Sequence, residues 1–158
     1  LMTRYTHGIV EKRRAALALN MAGGGGFEIW QYTSKVPVMP DFDIRIGDLG
    51  IYAAKMKSRN VPALHEQLKN KGLPVGPLHI DPAGERTFWI TDPWGNPFQV
   101  IQGQSWFKAS EELTGGVCGA VIGVSNMDAA VKFYTQVLGI REIVLDKTGV
   151  FADLPEAT

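Results

Sequence analysis

A single cysteine, Cys118, is all this chain carries, so no disulfide can form within it. That scarcity fits a reducing compartment. No apolar run of about 18 residues marks a membrane span, and no charged-then-apolar leader is present, so the expected location is cytoplasmic. An excess of one charge sign is also lacking, since 16 Lys and Arg offset 16 Asp and Glu. There is no basic stripe to track nucleic acid and no acidic tail to act as a solvating arm. Apolar residues at 45% and charged residues at 20% are the balance of an ordinary globular protein. A length of 158 residues allows one real core and crowds two.

What is abundant is glycine, 18 residues of it, which suits a strand-rich chain with many tight turns. Arg14 to Leu19 and Phe27 to Tyr32 read as two strands joined by the glycines at 23 to 26. Those glycines precede a strand rather than a helix and lack a following Lys-Ser/Thr, so they read as a turn and not as a phosphate loop. Ser34 to Pro40 is a connector and Leu49 to Ala54 a further strand. Asn60 then caps a helix with Pro62 in its first turn and Val61, Leu64 and Leu68 on one face, which Gly72 ends. Leu78 to Ile80, Arg86 to Thr91 and Phe98 to Gln102 read as strands. The last two are joined by the turn residues Asp92 to Pro97. Ala120 to Val124 reads as a strand. Ser125 or Asn126 caps a second helix with Met127, Ala130, Val131, Tyr134, Val137 and Leu138 at helical spacing, ending at Gly139, and Glu142 to Leu145 is expected to be a strand.

An internal repeat organises these elements. Laying Leu17 to Gln31 over Phe88 to Gln102 matches Phe27 with Phe98, Glu28 with Gln99, Ile29 with Val100, Gln31 with Gln102 and Gly24 with Gly95. The strand-helix passages after Leu49 and after Cys118 also resemble each other. The expected plan is α+β with paired βαβββ modules around a half-barrel cleft, the modules in rotated order. Residues 1–46 hold the back half of a first module plus connector, 47–103 a complete second module, 104–116 a linker and 117–158 the front half of a further module.

The run Ala130-Val131-Lys132-Phe133-Tyr134-Thr135-Gln136-Val137-Leu138-Gly139 resembles the helix signature of the vicinal oxygen chelate superfamily, which includes glyoxalases, bleomycin-resistance proteins and extradiol dioxygenases. Asp92-Pro93-Trp94-Gly95-Asn96-Pro97-Phe98-Gln99-Val100 is similar to that superfamily's Asp-Pro-x-Gly-Asn-x-x-Glu-Leu hairpin. The resemblance implies two modules enclosing a cleft. In metal-dependent members a first-strand His and a last-strand Glu from each module hold a divalent Zn, Ni, Mn or Fe ion. Carried onto this chain, Glu28 matches one metal-binding Glu, while the neutral amide Gln99 stands at the other. The first-strand His position falls at Gly50, or at Ala53 if the helices are aligned instead, and at Gly119 in the last fragment.

Each candidate has two readings. Glu28 is either a surviving ligand or general base, sharing a strand face with Trp30 and Tyr32, or a strand carboxylate paired with a basic residue. Gln99 either orients a bound molecule or is a satisfied amide at a strand edge. Trp30, Tyr32, Tyr52 and Trp89 either line a pocket for a flat ligand or belong to the core. His79 reads as a structural imidazole, His65 as solvent-facing, and His7 has no assigned role.

Two functions follow. The leading one is a small-molecule binding protein with a degenerate metal site and no required cofactor, its two hairpins curling around a shared hollow. The alternative is a metal-dependent lyase, isomerase or ring-cleaving dioxygenase whose remaining ligands lie outside this chain. The rotated order is resolved by packing the terminal pieces together or by a homodimer that exchanges them.

Overall fold

The computed structural model describes residue 4 and residues 6–151. The outer ends of the first and last expected segments lie outside the described residues. The fold is α+β, with two helices and two sheets. Strands β1 (Arg13–Leu19) and β2 (Gly26–Tyr32) form an antiparallel hairpin. A second sheet contains β3 (Gly50–Ser58), β4 (His79–Ile80), β5 (Arg86–Thr91), β6 (Pro97–Gln102) and β7 (Thr114–Gly123), in the order β4-β5-β6-β3-β7. Helix α1 (Val61–Asn70) follows β3, and α2 (Met127–Gln136) follows β7. β3 runs parallel to β6 and antiparallel to β7.

Both helices start alike. Asn60 accepts a hydrogen bond from the Ala63 N–H at 3.0 Å, and Asn126 accepts one from Ala129 at 2.9 Å. Each satisfies an amide that the first turn leaves without a helical partner. α1 lies on β5 and β6, and its core consists of Val61, Leu64, Phe88 and Val100, with Met56, Leu68, Val75 and Ile90 packed around it. Phe88 and Val100 are neighbours across the β5–β6 ladder. Full burial of each is worth about 1.5–3 kcal/mol.

The two hairpin turns share a design. Asn20 Oδ1 accepts from the N–H groups of Ala22 and Gly23, and Asp92 Oδ1 accepts from Trp94 and Asn96. Gly24 and Gly95 both have positive φ, 81° and 85°. The first turn is one residue longer, however. Val100 pairs with Phe88, but its counterpart Ile29 pairs with Ala16, not Leu17. The overlay of Leu17 on Phe88 is therefore displaced by one residue before the turn, although the Glu28–Gln99 match after it stands.

Three other expectations change. Glu142 to Leu145 is not a strand, since it has no ladder partner among the described residues. β7 begins at Thr114, inside the stretch expected to be linker. His65, expected in solvent, is buried against Phe88 with ring centroids 5.1 Å apart, and its Nε2 lies 3.0 Å from the Gly76 carbonyl. Its position one turn after Val61 puts it on the core side of the helix.

The glycine turn also docks the hairpin. A Cβ on Gly23 would lie 1.6 Å from the Gly115 carbonyl oxygen of β7, and Asn20 Nδ2 donates to Thr114 O at 3.1 Å. Gly23→Ala is expected to cost at least about 2 kcal/mol in denaturant unfolding, because backbone must move. Val38→Ala, at a residue 90% exposed, should change stability by less than about 0.5 kcal/mol. At Asp92, partial burial pushes the carboxyl up, but hydrogen bonds from the Asn96 side chain, the Asn96 N–H and the Trp94 N–H outweigh it and hold the group below its ordinary value. Its stabilisation is therefore complete above the unfolded value and lost as pH falls through the lower folded value. Asp92→Asn should flatten the acid limb of the unfolding midpoint against pH below about pH 4, and an unchanged limb would contradict the turn's role.

Candidate functional site

Strand alternation decides where the candidates point. Val100 is held under α1, so Gln99 turns to the opposite face of the sheet. There it is flanked by Trp89 across the antiparallel β5–β6 ladder and by Lys55 across the parallel β3–β6 ladder, residues level with it and on its face. Gln99 is 4% exposed, and its side-chain amide makes no hydrogen bond among the described residues. It lies between two strands and is not the satisfied edge amide of the alternative reading. Trp89 is 8% exposed and meets Tyr52 edge to face, with centroids 6.1 Å apart.

Glu28, Trp30 and Tyr32 share one face of the other hairpin, as expected from their spacing. Glu28 is exposed and makes no hydrogen bond or ion pair among the described residues, so it is not paired with a basic residue. Trp30 and Tyr32 are both occupied by cations of this chain. The Arg13 guanidinium lies 3.6 Å from the Trp30 centroid, and Lys35 Nζ lies 4.8 Å from that of Tyr32.

The structure thus brings Tyr52, Trp89 and Gln99 together and keeps Glu28, Trp30 and Tyr32 as a separate group. A contact between the hairpins is the edge-to-face pair Phe27–Phe98, 5.8 Å apart. Because strand neighbours point to opposite faces, Glu28 and Gln99 are directed away from that contact. The acid and the amide do not converge on a shared hollow in this chain.

Lys55 was not among the sequence candidates. The signal for it was Lys55 and Lys57 alternating with Ala54 and Met56 on an otherwise apolar strand, which marks a polar face. Lys57 is buried, donates to Ser105 O at 2.7 Å and lies over Trp106, so it braces the loop after β6. Cys118 lies near both lysines. Burial pushes its thiol up, and the ammonium groups of Lys57 and Lys55 only partly counter this, so little thiolate is present at neutral pH. His79 is half-buried at the sheet edge, its imidazole without a hydrogen bond among the described residues, and exposed His7 sits in a turn with φ 52°.

A divalent ion does not fit the donors present. Gly50 and Gly119 offer no side chain, Gln99 is neutral, and the Lys55 ammonium beside Gln99 opposes a cation. No group of three or more His, Cys, Asp or Glu among the described residues is placed to hold a metal. No described helix is long and apolar enough to cross a membrane. No family model, curated protein or solved structure matches this chain.

The Gln99 amide makes no hydrogen bond to the described residues and keeps contact with solvent, the buried side-chain atoms without a partner among them being Arg59 Nε and His65 Nδ1. Replacing it by an apolar group of similar shape breaks no bond to them. Gln99→Leu should therefore leave the unfolding midpoint unchanged or raise it. A marked drop in chemical denaturation would reveal a hydrogen-bonded role for the amide.

Proposed function

We propose that this chain is a small-molecule binding protein of the glyoxalase, bleomycin-resistance and dioxygenase superfamily, acting in the cytoplasm with a degenerate metal site. The family reading is supported by the strand-helix-three-strand passage from β3 to β6, whose sheet order places the first strand beside the last and parallel to it. It is supported also by the recurrence of cap, turn and positive-φ glycine in both halves. In this reading β3 to β6 is the complete βαβββ module, β1–β2 closes the first and β7–α2 opens a further one.

The observation that carries the function is Gln99, an amide that makes no hydrogen bond to the described residues, standing where metal-dependent members of that superfamily would have a carboxylate and set between Trp89 and Lys55. An amide supplies donors and an acceptor in one plane, an indole supplies a flat apolar wall, and an ammonium favours an anion. Together they suit a planar compound bearing a carbonyl or carboxylate. Gln99 would hydrogen-bond that group, Lys55 would balance its charge, and Trp89 and Tyr52 would pack on its ring.

A second reading is favoured by Glu28, whose carboxylate is free at a ligand position. It would make the chain part of a metal-dependent lyase, isomerase or dioxygenase with its other ligands supplied from outside. No step through a metal follows from the donors of this chain.

Titration calorimetry against planar aromatic carboxylates should find a binder, and Trp89→Ala and Lys55→Met should each weaken it at least tenfold, about 1.4 kcal/mol. Absence of any binder, with a stoichiometric transition metal found by elemental analysis of the purified protein, would reverse the order of the two readings.

A further inference from the structure

Three cations stand at alternate positions along and just past β3, namely Lys55, Lys57 and Arg59. None has an ion pair with a described residue. The β3–β6 ladder is regular from Ala54 to Ser58, pairing Lys55 with Gln99 and Lys57 with Ile101. Strand alternation therefore puts both lysines on the face of Gln99 and Trp89, their backbones about 6.6 Å apart along the strand.

Lys57 is the unusual member. It is 8% exposed, and a buried ammonium is costly unless it is paired and hydrogen-bonded. The flanking segments are shaped around its stem. A Cβ on Gly103, just past β6, would lie 2.8 Å from Lys57 Cβ, and one on Gly115 of β7 would lie 2.6 Å from Lys57 Cγ. Yet of the three donors on Nζ, one is used within the described residues, on the Ser105 carbonyl at 2.7 Å. The Trp106 ring, 5.5 Å away, compensates the charge only in part and is no counter-ion.

Holding the loop after β6 does not call for this second charge. Arg59 already stacks on Trp106, 3.8 Å from the ring centroid, and donates to Lys108 O at 2.8 Å. Lys55 and Lys57 also act together. Burial pushes the Cys118 thiol up, and Lys57 and Lys55 both pull it back, so the two charges are felt at one place beside β7.

We propose that Lys57 is a second anion-binding residue of this face, and that the ligand is a planar aromatic compound carrying two separated carboxylates. The proposal rests on the small-molecule reading above. Gln99 and Lys55 take one carboxylate, Lys57 takes the other with its two remaining donors, and the ring lies against Trp89 and Tyr52. Each carboxylate then meets its own ammonium in a charge-assisted hydrogen bond. A phosphate would gather both charges at one point, whereas the strand holds the two lysines apart.

Titration calorimetry on the full chain at low ionic strength would compare benzoate, isophthalate, terephthalate and phenyl phosphate. One of the two dicarboxylates should bind at least about tenfold tighter than benzoate. Lys57→Met should bring that dicarboxylate down to the affinity of benzoate. Because Lys57→Met also loses the Ser105 contact, Lys57→Gln, an uncharged donor, is a second test and should lose the gain equally. Equal affinity for benzoate and both dicarboxylates, a gain that survives both variants, or tightest binding of phenyl phosphate would overturn the proposal and leave the small-molecule reading standing. Binding of none of the four would overturn both.

Discussion

Val100 is pinned under α1 by Phe88, Leu64 and Val61, and the rest of the central sheet takes its orientation from that contact. A strand has two faces and no third option, so fixing one side chain under the helix sets every other residue on the strand. Gln99 must then face away from α1, level with Trp89 and Lys55. The same pairing that stabilises the core sets the Gln99 amide on the opposite face, where it makes no hydrogen bond to the described residues.

Much of the element order was legible because it rests on local chemistry. Asn60 and Gly72 bracket a helix wherever they meet an apolar face of the right period, and Asp92 to Pro97 leaves the backbone few options except a turn. What could not be read locally went wrong in characteristic ways. Glu142 to Leu145 has strand composition, but a strand needs a partner, and none of the described strands pairs with it. Thr114-Gly115-Gly116, with its two glycines, falls in the stretch expected to be linker. Here its lack of side chains lets a second backbone approach, which only the fold discloses. His65 was misplaced by judging the helix from Leu64 alone, although Val61 one turn earlier shares its side.

The candidate site was legible as residues and less so as geometry. Trp89, Tyr52 and Gln99 do form one cluster. Glu28 was correctly seen to share a face with Trp30 and Tyr32, yet that face belongs to a hairpin whose position relative to the main sheet depends on contacts no strand pattern encodes. Arg13 and Lys35 cover the two aromatics there, which changes them from open walls into occupied ones. Helix α1 is seated on β5 and β6, whereas α2 buries none of its residues.

The extra residue in the first turn has a consequence beyond the turn. It works as a reading-frame change in three dimensions. Everything after it stays in phase with the second hairpin, while everything before it is displaced by one and shows the opposite row of side chains to each neighbour. The two hairpins are therefore not interchangeable, since grafting β5 in place of β1 without also transplanting its shorter loop would shift its pairing with β2 by one residue.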